Sequence, residues 1–201
     1  YQTCVKKLMQ EGYAYPDFTT AEELDEIRAK QEAAKVDIGY YGEYAVGRNL
    51  TYEQIEEKLA VGEPYVVRLK SPGEAGKTVI YSDPIRNIMD VVLLKSDGIP
   101  TYHFAHAVDD HFMRTNLVIR GDEWLASYPL HKQLFDLCGF ALPKYAHIAP
   151  IMKLEVTVDE EGEHQRKRKL SKRKDPEAAV GFYAEQGFPS VSVLEYLMTI
   201  A

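Results

Sequence analysis

The chain has 201 residues, of which 45% are hydrophobic, and its formal net charge is −7. That is enough for one or two small domains with apolar cores. No apolar run approaches the ~20 residues of a membrane-spanning helix and no signal segment is visible, so we expect a cytoplasmic protein. Cys4 and Cys138 lie far apart without Cys-x-x-Cys spacing, which argues against a zinc site or a disulfide framework.

The first half of the chain alternates short helical and extended patterns. Thr20 and Glu23 form a capping box, which predicts a helix start, and Gly62 predicts a helix end. We interpret residues 16–98 as one small α+β unit. A helix ending near Gln10 and an extended segment at 13–16 are predicted at its start. Within the unit we predict helices over 21–35 and after Thr51, and strands at 65–70, 77–81 and 91–95.

The second half has a different pattern. A helix is predicted over 104–113, a short buried strand over 116–120, a helix from Ser127 to the stop at Gly139, and a strand over 145–152. Strand, helix and strand at this spacing predict a βαβ unit whose ligand edge lies at the carboxyl ends of the strands. Two further helices are predicted over 176–186 and 190–200.

The most unusual stretch is the basic run Arg166–Lys174, in which seven of nine residues are Lys or Arg although the chain is acidic. A run of this kind is typical of phosphate binding, and a solvated loop is the alternative. Leu170 and Ser171 interrupt the charges. We predict a mobile loop between the strand over 145–152 and a helix that starts at Asp175.

Arg120 ends the predicted buried strand, where a charge is costly unless it meets an anion. Its guanidinium could bind a substrate carboxylate as a planar fork, or it could pair with Asp110 or Asp122. Spacing alone leaves both possibilities open. Glu123 could accept hydrogen bonds from a ligand or lie in the first turn of a helix.

The segment from His103 to His111 contains further imidazoles and carboxylates, at His106, Asp109 and Asp110. This composition could suggest a metal site. No second ligand cluster completes such a site elsewhere in the sequence, so we interpret the segment as a polar helix face beside a cleft.

Several stretches in a fixed order resemble the bacterial glutamyl-tRNA synthetase family, which belongs to the class I aminoacyl-tRNA synthetases. The pentapeptide Lys-Leu-Ser-Lys-Arg at 169–173 resembles the family's second signature, of the Lys-Met-Ser-Lys-Ser type. The other stretches lie at 93–103, 108–111, 118–125 and 145–147. The tetrapeptide at 103–106 lacks the glycine of the family's first signature, so we do not identify it with that signature. Neither that signature nor the family's anticodon-binding region is otherwise found in the sequence, so we expect both ends of the family's sequence to be missing here.

The resemblance implies an α/β fold. Residues 1–15 would end the first half of the Rossmann-like nucleotide-binding fold, and residues 16–98 would form a connective insertion at the tRNA acceptor end. Residues 99–175 would form the second half of the catalytic fold, and residues 176–201 would begin a helical stem-contact region. Since the first half is missing, we expect the isolated piece to be inactive.

The resemblance also implies roles for individual residues. Tyr102, His106 and Arg120 would bind glutamate, although many family members have asparagine where this chain has His106. The catalytic residues would be Lys169 and Lys172, whose charge stabilises negative charge developing on the phosphates of ATP. The ATP contacts would be Glu123, Met152, Lys169, Leu170, Ser171, Lys172 and Arg173.

The implied reaction has two steps. Glutamate attacks Mg-ATP to give glutamyl adenylate, and the glutamyl group then passes to the 3′ end of tRNA. Glutamate, ATP with Mg²⁺ and tRNA are therefore the expected partners, with no zinc and no membrane, and a monomer is expected. A glutaminyl, non-discriminating or tRNA-modifying relative is the alternative, and a non-catalytic RNA-binding module is the alternative from another class.

Overall fold

The structure is a computed structural model, and it describes residues 1–71, 87–159 and 162–200. The predicted strand over 77–81 lies outside these residues. The chain divides into two compact units, which are described separately below. The first unit comprises Tyr1–Asn116 and Ala126–Lys144, and the second comprises Leu117–Leu125 and Tyr145–Ala201.

The first unit contains five α-helices and a three-stranded sheet among the described residues. The helices are α1 (Gln2–Gln10), α2 (Ala21–Ala34), α3 (Tyr52–Ala60), α4 (Tyr102–Phe112) and α5 (Tyr128–Cys138). The strands are β1 (Ala14–Asp17), β2 (Val66–Leu69) and β3 (Val92–Leu94), in the antiparallel order β1-β2-β3.

Local sequence signals explain where several of these helices begin and end. The hydroxyl of Thr20 accepts a hydrogen bond from the amide of Glu23, whose carboxylate accepts one from the amide of Thr20. Thr51 and Gln54 cap α3 in the same way. Gly139 adopts a left-handed conformation, with φ of 71°, and ends α5. The capping box and the glycine stop are therefore confirmed.

The apolar core of the first unit lies between α1, α4, α5 and the sheet. Its largest side chains are essentially inaccessible to solvent, and each contributes roughly 1.5–3 kcal/mol by leaving water. They are Leu8, Leu69, Leu93, Phe104, Leu134 and Phe135.

The second unit contains four strands and two α-helices among the described residues. They are β4 (Leu117–Gly121), β5 (Lys144–Ile148), β6 (Met152–Asp159), β7 (Gly162–Lys169), α6 (Val180–Glu185) and α7 (Ser190–Ile200). The first residue of β5, Lys144, is the last residue of the first unit. Strand β4 pairs with β5, and β6 pairs antiparallel with β7, with Met152 opposite Lys169. Among the described helices, none combines the length and apolarity needed to cross a bilayer.

Three predictions about the second unit are wrong in part. The strand that contains Arg120 is not buried, because Leu117 and Ile119 are 47% and 62% exposed. The basic run is only partly a loop, because Arg166–Lys169 form the end of β7 and only the residues from Leu170 onward form a turn. The strand predicted over 145–152 is in fact β5 followed by the start of β6.

Candidate functional site

The turn at 170–174 follows β7 directly and presents its charges to solvent. The amide of Leu170 donates to the carbonyl of Ile151 at 2.9 Å, and the amide of Lys174 donates to the carbonyl of Ser171 at 3.0 Å. Lys172 and Arg173 are both exposed to solvent. The turn therefore has a backbone fixed by hydrogen bonds and cations at its surface, which suits binding of a phosphate chain.

One buried carboxylate, that of Asp175, binds this turn from inside. Asp175 is 1% exposed and accepts hydrogen bonds from the amide of Ser171 at 2.9 Å and from Lys153 at 3.0 Å. The guanidinium of Arg168 donates to both of its oxygens, at 2.6 and 2.8 Å. The Arg168 fork and the Ser171 amide keep the pKa of Asp175 well below its usual range.

Three of the predicted ATP contacts are adjacent in the second unit. Lys169 forms an ion pair with Glu123, and its Cα lies opposite that of Met152 in the β6–β7 ladder. The hydrogen bond from Lys169 lowers the pKa of Glu123. Since both members of the ion pair are about half exposed, a ligand can reach either of them.

Arg120 is held by aromatic side chains. Its guanidinium carbon lies 4.7 Å from the ring centroid of Tyr145 and 5.8 Å from that of Trp124. Its Nε donates to Nε2 of His147 at 3.1 Å, and Nη2 donates to the carbonyl of Trp124 at 3.4 Å. Arg120 and His147 are each next to last in their strands. That a ligand binds at this edge stays a prediction.

Tyr102 and His106 lie on α4 in the first unit. Their rings are stacked, with centroids 6.0 Å apart and an angle of 7° between the planes. Nδ1 of His106 lies 3.1 Å from Oδ2 of Asp110, one helical turn further on. Tyr102 is 53% exposed. Because Arg120 belongs to the second unit, the predicted cleft shared by Arg120 and Tyr102 stays a prediction.

His131, which no sequence pattern singled out, supports this helix face from α5. His131 is fully buried, its Nε2 lies 2.9 Å from Nδ1 of His103, and its ring centroid lies 4.6 Å from that of His106. The only sequence signal was a polar residue at an inward position of an apolar helix. Within the described parts of the chain, no set of three or more His, Cys, Asp or Glu side chains is arranged to hold a metal ion.

Comparison with known proteins gives a consistent result. The family model described as tRNA synthetases class I (E and Q), catalytic domain, matches residues 1–201. Proteins named glutamate–tRNA ligase from Clostridium beijerinckii and Clostridium perfringens are 54% and 51% identical over the whole chain. The chain spans about 36% of the length of these relatives.

Two solved structures are also similar, each with a TM-score of 0.65 and 34% identity over 94% of this chain and 37% of the other. They are a glutamate–tRNA synthetase from Elizabethkingia anophelis and a glutamate–tRNA ligase from Elizabethkingia meningosepticum in complex with its amino acid. The predicted α/β, Rossmann-like fold class is therefore confirmed, and the chain belongs to the catalytic-domain family of the class I tRNA synthetases for glutamate and glutamine.

Proposed function

We propose that this chain is part of a glutamate–tRNA ligase, which activates glutamate with Mg-ATP and transfers it to the 3′ end of tRNA. The observation that carries the proposal is the fixed, cationic turn at 170–174, next to the exposed pair of Lys169 and Glu123. The names of the relatives favour glutamate over the alternatives. The proposal includes the domain boundaries at 15/16, 98/99 and 175/176, with the insertion at the acceptor end of tRNA.

The chemistry needs positioning and charge more than it needs a covalent intermediate. As the glutamate carboxylate attacks the α-phosphorus, negative charge moves onto the departing pyrophosphate. Lys172 and Lys169 would stabilise that charge, an interaction that is stronger in the transition state than in the ground state. Mg²⁺ would arrive with ATP as part of the substrate, since it is held largely by phosphate oxygens.

The glutamate would be held by Arg120, Tyr102 and His106. Tyr145 and Trp124 contact the guanidinium of Arg120, so its orientation is set before substrate arrives. A guanidinium fixed in this way can bind a carboxylate through two parallel hydrogen bonds with little loss of side-chain entropy.

The deciding experiment is Lys172→Ala in the protein that contains this chain. We expect glutamate-dependent ATP–pyrophosphate exchange, measured with tRNA present, to fall by roughly 10²–10³-fold in rate, as when one transition-state donor is removed. Glutamate affinity should stay unchanged, because the lysine acts on the phosphates. An unchanged exchange rate would contradict the proposed function.

A second variant, Arg120→Lys, tests the glutamate end of the site, because it keeps the positive charge and loses the two-pronged geometry of the guanidinium. It should raise the KM for glutamate strongly and leave the KM for ATP almost unchanged. If Arg120 were only a structural contact of its aromatic neighbours, the substitution would lower the melting temperature and leave the glutamate kinetics normal. The two variants thus test the two ends of the proposed site separately.

A further inference from the structure

The carboxylate of Asp175 is enclosed by donors that come from three places in the second unit. Arg168 comes from β7, Lys153 from β6, and the Ser171 amide from the turn itself. Arg168 and Lys153 are direct partners in the β6–β7 register, so their side chains lie on the same face of the hairpin. The carboxylate therefore joins the end of the hairpin to the turn.

Two outer carboxylates complete this cluster without contacting the turn. Arg168 also donates to Glu155 at 3.0 Å, and Lys153 also donates to Glu177. Glu155 and Glu177 are 43% and 32% exposed in their side chains, whereas that of Asp175 is 1% exposed. Asp175 is thus the member of the cluster that combines burial with a hydrogen bond to the backbone of the turn.

The backbone of the turn closes around the same residue. The carbonyl of Ser171 accepts hydrogen bonds from the amides of Lys174 and Asp175, at 3.0 and 2.8 Å. Ser171 is thereby held through its amide by the Asp175 carboxylate and through its carbonyl by the Asp175 amide. Lys172 follows Ser171 directly, so these bonds constrain the point at which its side chain leaves the turn.

We propose that Asp175 is the positioning residue of this turn, fixing Ser171 and thereby the direction in which Lys172 is presented to the phosphates. The proposal rests on the proposed function for its reaction. Asp175 does not contact substrate, because its oxygens are occupied by protein donors and are shielded from solvent. The residues of the basic run would therefore have two different roles. Arg168 binds the carboxylate of Asp175 inside the unit, and Lys172 acts on the ligand.

The test is Asp175→Asn in the whole protein, which keeps the shape of the side chain and removes its charge. We expect the single-turnover rate of adenylate formation to fall by about 10- to 100-fold, the size of effect caused by misplacing a reacting group by about an ångström. The dissociation constant for glutamate should not change. Trypsin should cleave after Lys172 and Arg173 faster than in the unsubstituted protein, because the turn opens more often.

The matched control is Glu177→Gln, which removes the outer partner of Lys153 and leaves the Ser171 amide untouched. It should keep the rate within about 2-fold, as expected for a partly exposed ion pair. If Asp175→Asn does not fold, Arg168→Lys keeps the positive charge and removes the fork, and it should give a smaller loss of rate in the same direction.

Combining Asp175→Asn with Lys172→Ala decides whether one residue acts through the other. If it does, the double variant should be no slower than Lys172→Ala alone, because misplacing a lysine that is absent costs nothing. Multiplied losses would overturn the positioning role. A normal rate for Asp175→Asn beside a slow Lys172→Ala would overturn it too and leave the proposed function standing. A normal rate for Lys172→Ala would overturn both, and the trypsin result would still show whether Asp175 closes the turn.

Discussion

Two buried carboxylates, Asp90 in the first unit and Asp175 in the second, show how differently these regions are built. Each is almost inaccessible to solvent, and each accepts a hydrogen bond from the amide of a serine, Ser71 at 2.8 Å and Ser171 at 2.9 Å. Each also lies close to an arginine. Their pKa values nevertheless shift in opposite directions.

The opposite shifts have different dominant causes. Burial raises the pKa of Asp90 more than the Ser71 amide, the Tyr15 hydroxyl and Arg48 lower it. The pKa of Asp175 is lowered chiefly by the Arg168 fork, and its burial is too weak to reverse this. The carboxylate with a two-pronged guanidinium partner is thus the one whose charged form is favoured.

The surrounding residues explain this difference. Asp90 belongs to a buried network in which Arg68 binds the Asp17 carboxylate and donates to the Asp90 carbonyl at 3.1 Å, so that cation is shared. Tyr40 adds a hydrogen bond to Asp17 at 2.9 Å. Around Asp175, cations are abundant and close to the surface. The first region thus buries its ion pair of Arg68 and Asp17, whereas the second keeps positive charge close to its surface.

The largest effect should come from breaking the buried pair of Arg68 and Asp17. Arg68→Ala leaves the Asp17 carboxylate buried without its cation, and we expect the free energy of unfolding to fall by about 3–5 kcal/mol. Lys169→Ala, at the exposed pair with Glu123, should change it little. Urea unfolding followed by far-UV circular dichroism measures both. Equal losses of unfolding free energy for the two variants would show that the buried ion pair contributes no more to stability than the exposed one.

A smaller effect is expected from adding one methyl group at matched glycines. At Gly47 an added Cβ would overlap Oδ1 of Asp17 and lie 3.1 Å from its Cγ, and that carboxylate is held by Tyr40 and Arg68. Gly47→Ala should therefore cost about 1–3 kcal/mol of unfolding free energy, as overpacking does.

The control for this prediction is Gly121→Ala. An added Cβ there would meet the carboxylate of Glu123, which is the mobile end of a half-exposed side chain. The side chain can rotate away, so the urea midpoint should hardly move. A loss at Gly121 as large as that at Gly47 would contradict the view that the second unit adapts more easily.

The sequence predicted those parts of the fold that depend on near neighbours in the chain. The capping box at Thr20, the stop at Gly139 and the helix predicted over 104–113 depend on residues within one helical turn, and all three are present, the helix as Tyr102–Phe112. The basic run was harder, because a strand with charges on both faces lacks the apolar alternation that identifies strands. Strand β6 has that alternation, at Met152, Leu154 and Val156, and it was missed.

The buried contacts that were missed join residues that lie far apart in the sequence. His131 meets His103 from 28 residues further along the chain, and Arg68 binds Asp17 across 51 residues. Spacing cannot reveal such pairs, because only tertiary packing brings them together. Asp175 differs from these residues because its partner Ser171 lies only four residues away in the sequence. Its sequence context was interpreted only as the start of a helix.

The smallest effect, and the most direct test of the comparison, is the pH dependence of stability in Asp90→Asn and Asp175→Asn. For Asp90 the pKa in the folded state lies above the unfolded value of about 3.9, so its stabilising contribution is complete below that value and is lost as pH rises through the folded pKa. For Asp175 the folded pKa is lower than the unfolded value, so its contribution is present above about 3.9 and is lost as pH falls toward the folded pKa. On acidification from pH 7 to about 4, the unsubstituted protein should therefore gain stability relative to Asp90→Asn. Over the same pH range its stability advantage over Asp175→Asn should stay the same. That advantage should shrink only at lower pH. Urea midpoints at a series of pH values measure both differences, and a shift in the same direction for the two pairs would contradict the opposite shifts.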